Sequence, residues 1–307
     1  MSSQRGLLAR MVGRLRERRD PRAPRLGAPA DIVSTSPPPI FVIGCQRSGT
    51  SLVRRILDSH SNIACPPESK FLLPLTTILR DATALHGLDS MGYSREDVVE
   101  SLRRFISAFF QGYASARGKG RWADKTPNYV DCLPELWELF GPEARFVLVV
   151  RNGLDVAASL SDRHRRYPAI DRHVKISGGS RPIGAALFWR EQNERIDGFR
   201  ALHPEACFLL RYEELTRRPE AALEPLFRFL EEPWEPEVLN FDRHVHHAGI
   251  EDPDVRRRRR IEPNAGSSRA WPPDLLADVR LACEPMFSAL GYDQDASSSY
   301  DRAPAPE

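Results

Sequence analysis

The segment Ile40-Phe41-Val42-Ile43-Gly44-Cys45-Gln46-Arg47-Ser48-Gly49-Thr50-Ser51 constrains what this chain can fold into more than any other. Four consecutive strand formers end at a glycine, and a loop of small and hydrogen-bonding residues follows. Leu52, Val53, Ile56 and Leu57 then recur with the spacing of one helical face. A strand that is apolar on both faces has to be covered on both, which places it inside a parallel sheet. The strand–loop–helix junction also has a chemical consequence. Backbone N–H groups at the start of a helix converge with the positive end of its dipole, and small residues let the backbone approach an anion there. The hydroxyls of Ser48, Thr50 and Ser51 add donors, and Arg47 adds a charge-assisted one.

The rest of the chain repeats the alternation. Residues 94–116 carry Val98, Leu102, Phe105, Ile106 and Phe109 at helical spacing, and Arg145 to Val150 reads as a second buried strand. Val156 to Leu160 opens a helix, and a helix over 183–202, a strand over 206–211 and a helix over 219–230 follow. Residues 240–270 read as irregular, and a terminal helix is expected over about 273–290. Strands alternating with helices predict an α/β fold, P-loop-like and three-layered, with a central parallel sheet flanked by helices.

Among 307 residues, 44 basic side chains nearly balance 42 acidic ones, but residues 1–39 hold eight arginines against three acids. That segment is expected to be a basic, Pro- and Arg-rich flexible arm and linker. Its plain reading is a solubilising tail, and peripheral contact with anionic lipid or a partner is the other. The folded domain is expected over 40–293 and a flexible tail over 294–307. The core is slightly acidic and shows no basic–aromatic interleaving, which speaks against nucleic acid as a partner. No apolar run reaches the roughly 20 residues of a membrane span. Five scattered cysteines, with no metal-binding spacing and no signal peptide before them, read as reduced thiols of a cytoplasmic protein.

The loop differs from the Walker pattern in that Thr50 stands where the lysine belongs. The strand over 145–150 ends in Arg151, where a metal-binding acid would be needed. A cation at that position favours a second anionic group, so the expected ligand carries two separated phosphates and needs no metal. Eight residues after Arg151 comes Ser159, and Ser159 and Arg163 are i, i+4 neighbours that a helix would place on one face.

At these residues the chain resembles sulfotransferases that use 3′-phosphoadenosine 5′-phosphosulfate (PAPS), most closely the tyrosylprotein sulfotransferase branch. Arg47-Ser48-Gly49-Thr50-Ser51-Leu52 corresponds to that branch's R-S-G-T-T-L motif. The resemblance spans about 40–293. It implies that Arg47, Ser48, Gly49, Thr50 and Ser51 hold the 5′-phosphosulfate, and that Arg151, Ser159 and Arg163 hold the 3′-phosphate. Tyr212, in Arg211-Tyr212-Glu213, would contact the nucleotide, and Arg269 would meet the phosphates. Glu68 falls at the catalytic glutamate and Lys125, in Asp124-Lys125-Thr126-Pro127, at the catalytic lysine. Pro67, Lys70 and Arg269 depart from the branch's usual residues, and its N-terminal membrane anchor has no counterpart here. The anchor's lack of a counterpart bears on the acceptor more than on the donor.

The resemblance implies an enzyme that moves a sulfuryl group from PAPS to a hydroxyl of a peptide tyrosine, a sugar or a small metabolite, releasing 3′-phosphoadenosine 5′-phosphate (PAP). Glu68 would be the general base, with Lys125 and Arg47 stabilising developing charge. The acceptor pocket is expected from helix 94–116, residues 165–182 and the 240–270 loop. Arg256 to Arg260 read as a solvated charge run, and His60 as a helix-ending residue interacting with the dipole. A P-loop kinase or NTPase and a non-catalytic nucleotide-binding module are the competing readings. The oligomeric state, a homodimer included, stays open.

Overall fold

Ile40 to Gly44 forms the middle strand, β1, of a five-stranded sheet in the computed structural model, which describes residues 37–162, 167–264 and 266–293. The basic arm up to residue 36, Arg163 and the tail beyond 293 lie outside the described residues. The other strands are β2 (Ile63–Ala64), β3 (Arg121–Lys125), β4 (Arg145–Val150) and β5 (Cys207–Arg211), in the spatial order β2-β3-β1-β4-β5. All pairs are parallel, with Phe41 opposite Asp124 on one side and Phe146 on the other.

Alternation along the strands divides the core into two layers. Phe41, Ile43, Phe146 and Leu148 pack with Ile106, Phe110, Leu136 and Leu139 of helices Arg95–Ser115 and Leu133–Phe140. Ile40, Val42, Val147 and Val149 face the opposite way, onto helices Thr50–Ser59 and Pro219–Phe229 through Leu52, Ile56, Leu223 and Phe227. A third cluster joins Val150 to Val156, Trp189 and Phe287, and so fastens helices Gly153–Leu160 and Arg181–Leu202 to the C-terminal segment. Truncating a fully buried ring such as Phe146 to alanine costs about 3–5 kcal/mol.

The expected α/β sandwich is what forms, with β2 and β3 added to the expected strands and three of the expected elements altered locally. The long helix near 95 starts one residue later, at a reciprocal cap: Ser94 Oγ accepts from the Asp97 N–H at 3.1 Å, and Asp97 Oδ2 accepts from the Ser94 N–H at 2.8 Å. The terminal helix divides into Pro273–Cys283 and Met286–Ala289, because Pro285 has no N–H to continue the ladder. The irregular stretch holds a short helix, Pro253–Arg257. The cysteines form no disulfide, and Cys207 is half-buried where the other four are buried. Among the described residues, no helix is long and apolar enough to cross a membrane.

Candidate active site

With β1 flanked by β3 and β4, the sheet's connections leave toward opposite sides at the carboxyl end of β1, the place where open α/β sheets bind ligands. Four adjacent strand ends therefore deliver the functional side chains in a row. β3 ends in Lys125, β1 runs into the 45–51 loop, β4 is followed by Arg151, and β5 by Tyr212. They border a cleft of about 500 Å³.

The loop turns back on itself, with the Ser48 N–H donating to Cys45 O at 3.1 Å, and Gly49 then starts helix Thr50–Ser59. Gly49 is required twice over. Its φ of 95° belongs to the left-handed region, and a Cβ there would stand 2.4 Å from Cδ2 of Tyr212. The Tyr212 ring closes one side of the loop. The Arg151 guanidinium lies 4.5 Å from that ring's centroid, and Arg258 donates to the phenol oxygen at 3.2 Å.

Arg151 is fixed from its backbone outward. Its carbonyl accepts from Trp189 Nε1 at 3.0 Å, and its guanidinium donates to Arg47 O at 2.9 Å and to Asn264 O. Asn152 caps the next helix by accepting from the Leu154 N–H, while its own N–H donates to buried Glu213 Oε1 at 2.8 Å. Burial is the main influence on Glu213 and raises its pKa. Two buried polar atoms beside the loop, Ser48 Oγ and Arg151 Nε, have no hydrogen-bond partner among the described residues.

On the β3 side, Lys125 is fully buried and its Nζ donates to Glu68 Oε1 at 2.7 Å and to Ser51 Oγ at 3.1 Å. Lys70 Nζ lies 3.4 Å from the other Glu68 oxygen. The loop carrying Glu68 docks on the segment that crosses above it. The Glu68 N–H donates to Ile250 O at 2.9 Å, and Pro67 packs so closely on Gly249 that a Cβ there would stand 2.5 Å from Pro67 Cβ.

The site residues fall into groups. Arg47, Gly49, Thr50, Ser51, Glu68, Arg151 and Tyr212 line one cleft, with Lys125 and Ser48 buried beneath it. Ser159 reaches the loop through Arg47, whose Nε donates to Ser159 Oγ at 2.8 Å. Helix Gly153–Leu160 ends one residue after Ser159, and Arg163 lies outside the described residues. Arg269 is not brought to the cleft. Gly266, at φ 89° and held by its N–H to Asp155 Oδ1 at 2.7 Å, turns the chain just before it, and Arg269 is left exposed. Asn264 takes its place at the cleft.

Other expectations need correcting. The arginine run is not simply solvated, because Arg258 lines the cleft and Arg256 donates to Glu251 Oε1 at 2.9 Å. Helix Arg95–Ser115 contributes nothing to the lining of this cleft: Val98, Ile106 and Phe110 are spent on the core, while Phe105 and Phe109 stay exposed. Tyr167 and the 250–264 segment do contribute. His60 ends its helix, but its ring is fixed by local bonds. Nδ1 accepts from the Asn62 N–H at 3.1 Å, so the ring proton sits on Nε2 and is donated to Pro233 O at 3.0 Å.

Sequence reasoning missed the acids of Glu251-Asp252-Pro253-Asp254. Arg47 contacts Asp252 at 2.6 Å and Asp254 at 3.2 Å, and Glu251 pairs with Arg54 at 3.4 Å and Arg55 at 2.9 Å. The only signal is an acidic run directly before an arginine run, which by itself reads as surface.

Comparison with known proteins gives the same direction. Residues 38–236 match the profile of the sulfotransferase family. Protein-tyrosine sulfotransferase 1 of Danio rerio is 28% identical over 282 residues, covering 88% of this chain and 76% of that protein. Protein-tyrosine sulfotransferase A of Caenorhabditis elegans is 26% identical over 271 residues, covering 85% and 68%. The sulfotransferase domain from the curacin biosynthetic pathway superposes with a TM-score of 0.57 at 22% identity, over 83% of this chain and 97% of that one, and so shares the fold. A profile match over well over half of the chain, centred on the strands that build this cleft, settles the matter: the chain belongs to the sulfotransferase family and is a sulfotransferase.

Proposed function

We propose that the enzyme transfers the sulfuryl group of PAPS to an acceptor hydroxyl, with Glu68 as general base. One observation carries this reading. Lys125 joins Glu68 to the anion loop, touching the carboxylate at 2.7 Å and Ser51 Oγ at 3.1 Å. A proton acceptor and a cation therefore meet at the end of the phosphate-binding loop, where an acceptor oxygen and a leaving phosphate would have to meet.

The cleft suits a bisphosphate nucleotide. Ser48 Oγ and Arg151 Nε are buried donors without partners among the described residues, and each belongs to one of the two motifs that imply a phosphate. Gly49 lets the backbone pass beneath the Tyr212 ring, which lines the cleft. Arg47, Ser159 and Arg258 supply further donors.

In the reaction the acceptor oxygen forms a bond to sulfur as the bond from sulfur to the bridging phosphate oxygen breaks, and PAP departs with that electron pair. Glu68 takes the acceptor's proton. Lys125 and Arg47 face the charge that grows on the bridging and equatorial oxygens, a placement that matters most for a loose transition state. Lys70, against the other oxygen of Glu68, holds the carboxylate from the solvent side. The tyrosine sulfotransferase relatives make a peptide tyrosine one acceptor class, beside sugars and small hydroxylated metabolites.

The test is thermal stabilisation by PAP against Mg·ATP and AMP, without added metal. At a hundredfold excess over Kd a specific ligand adds roughly 2.7 kcal/mol. A shift with PAP alone that disappears in Arg151→Ala supports the donor assignment, and a shift confined to Mg·ATP overturns it.

A further inference from the structure

Glu68 and Ser69 straddle the end of β3. Consecutive strand residues point to opposite faces, and the contacts at Asp124 and Lys125 follow that rule. Lys125 takes Glu68 on one face, while on the other Ser69 Oγ donates to Asp124 Oδ2 at 2.8 Å. Tyr129 OH donates to the same oxygen at 2.7 Å and lies 2.8 Å from Ser69 Oγ, which closes a three-membered buried ring of Asp124, Ser69 and Tyr129. Asp124 and Tyr129 are both fully buried, and Asp124 Oδ1 has no hydrogen-bond partner among the described residues.

Such a group is costly. A carboxylate at 0% exposure with one oxygen bare is poorly solvated, and a strand interior made of Asp and Lys has no packing advantage over apolar residues. What the arrangement does achieve is to fix two adjacent residues of an otherwise irregular loop to two adjacent residues of a strand. Elsewhere the loop is held at its start, where Arg54 Nε donates to Cys65 O at 2.9 Å and to Pro66 O at 3.2 Å, and from the surface side, where the Glu68 N–H donates to Ile250 O at 2.9 Å. Together with the Lys125–Glu68 contact, Ser69 ties it to the sheet.

Resting on the assignment of Glu68 as base, we infer that Asp124 is a positioning residue for the transfer reaction, acting through Ser69 and Tyr129 to hold the Glu68 carboxylate against Lys125 and toward the acceptor oxygen. Asp124 touches no reacting atom. Its effect is on the geometry of a group that does, and a displacement of about an ångström there is felt in turnover.

The experiment measures PAPS turnover to PAP with p-nitrophenol as the probe acceptor, together with the Kd of PAP. Ser69→Ala should lower kcat about ten- to a hundredfold with the Kd of PAP unchanged, and Ser69→Thr, which keeps the hydroxyl, should recover most of that activity. Asp124→Ala should resemble Ser69→Ala, and the double variant should be no slower than the worse single one. If Asp124→Ala does not fold, the two Ser69 variants still decide. In a Glu68→Gln background Ser69→Ala should have no further effect, because the group it positions is no longer a base. A crystal structure of Ser69→Ala should show the Glu68 carboxylate displaced from Lys125 Nζ. Ser69→Ala turning over at the wild-type rate, or slowing the Glu68→Gln enzyme by the same factor as the wild type, overturns the proposal while leaving Glu68 as base. A fully active Glu68→Gln overturns the base assignment and this inference with it.

Discussion

Arg47 donates from Nε to Ser159 Oγ at 2.8 Å, linking the loop after β1 to the helix after β4 across 112 residues of sequence. The two motifs that the resemblance ties to two phosphates thus meet through this side chain as well as through Arg151, which donates to Arg47 O at 2.9 Å. The terminal nitrogens of Arg47 face carboxylates instead, Asp252 at 2.6 Å and Asp254 at 3.2 Å. A guanidinium held by two acids is set to exchange them for a more highly charged anion. Removing the acids should therefore favour the nucleotide. Both are partly exposed, and such a pair is worth at most about 1 kcal/mol. Asp252→Asn and Asp254→Asn should each tighten PAP up to about fivefold by calorimetry, less at high salt. Weaker binding in both would mean that the acids form part of the donor site.

Gly49 tests the loop itself. Alanine there is forced into the left-handed region, at about 1–2 kcal/mol, and its Cβ collides with Tyr212. Gly49→Ala should lower Tm by several degrees and abolish the PAP shift. Adding Tyr212→Ala should relieve the collision without restoring PAP binding, because the ring that closes the loop and faces Arg151 is lost with it. Recovery of PAP binding in the double variant would remove Tyr212 from the site.

Glu68→Gln separates base from scaffold. The amide keeps the shape and an acceptor for Lys125 but cannot take the acceptor's proton. Turnover should fall about 10²–10⁴-fold while PAP binds as before. Unchanged turnover would assign the proton to another group.

The legible parts of this molecule share a physical cause. β1, β4 and β5 announce themselves because both faces of each must be apolar, and the loop after β1 because anion binding needs small residues at a helix start. β3 hides for the converse reason. Arg121, Asp124 and Lys125 are charged, yet all are buried, each with at least one partner far away in sequence. Arg121 donates to Pro38 O at 2.6 Å and pairs with Glu232 at 3.1 Å, and no local pattern reports such pairings. The segment over 250–258 is illegible likewise. Its place is set by Glu251 on Arg54 and Arg55 and by Arg258 on Tyr212, not by periodicity. Lys125 and Glu68 stand out only through family resemblance, since neither the strand nor the contact between them shows in the spacing.

Asp124 gives the fold a pH signature of its own. Burial, the largest influence, pushes its pKa up to about 6, and the hydrogen bonds from Tyr129 and Ser69 and the nearby Lys125 charge offset only part of that. In the unfolded chain an aspartate titrates near 4. Between those two values the folded state holds the proton and the unfolded state has lost it. Stability therefore falls as pH rises through this window, by up to about 3 kcal/mol once Asp124 is ionised. Asp124→Asn has no proton to lose and keeps a carbonyl oxygen for Ser69 and Tyr129. Urea unfolding of the two proteins from pH 4 to pH 8 should show the wild type losing stability relative to the variant up to about pH 6.5, and a constant difference above it. A difference that is flat throughout would mean that Asp124 carries no raised pKa in the folded protein. One that grows in the wild type's favour would mean that the ionised carboxylate stabilises the fold, the opposite of what its burial and its bare Oδ1 require.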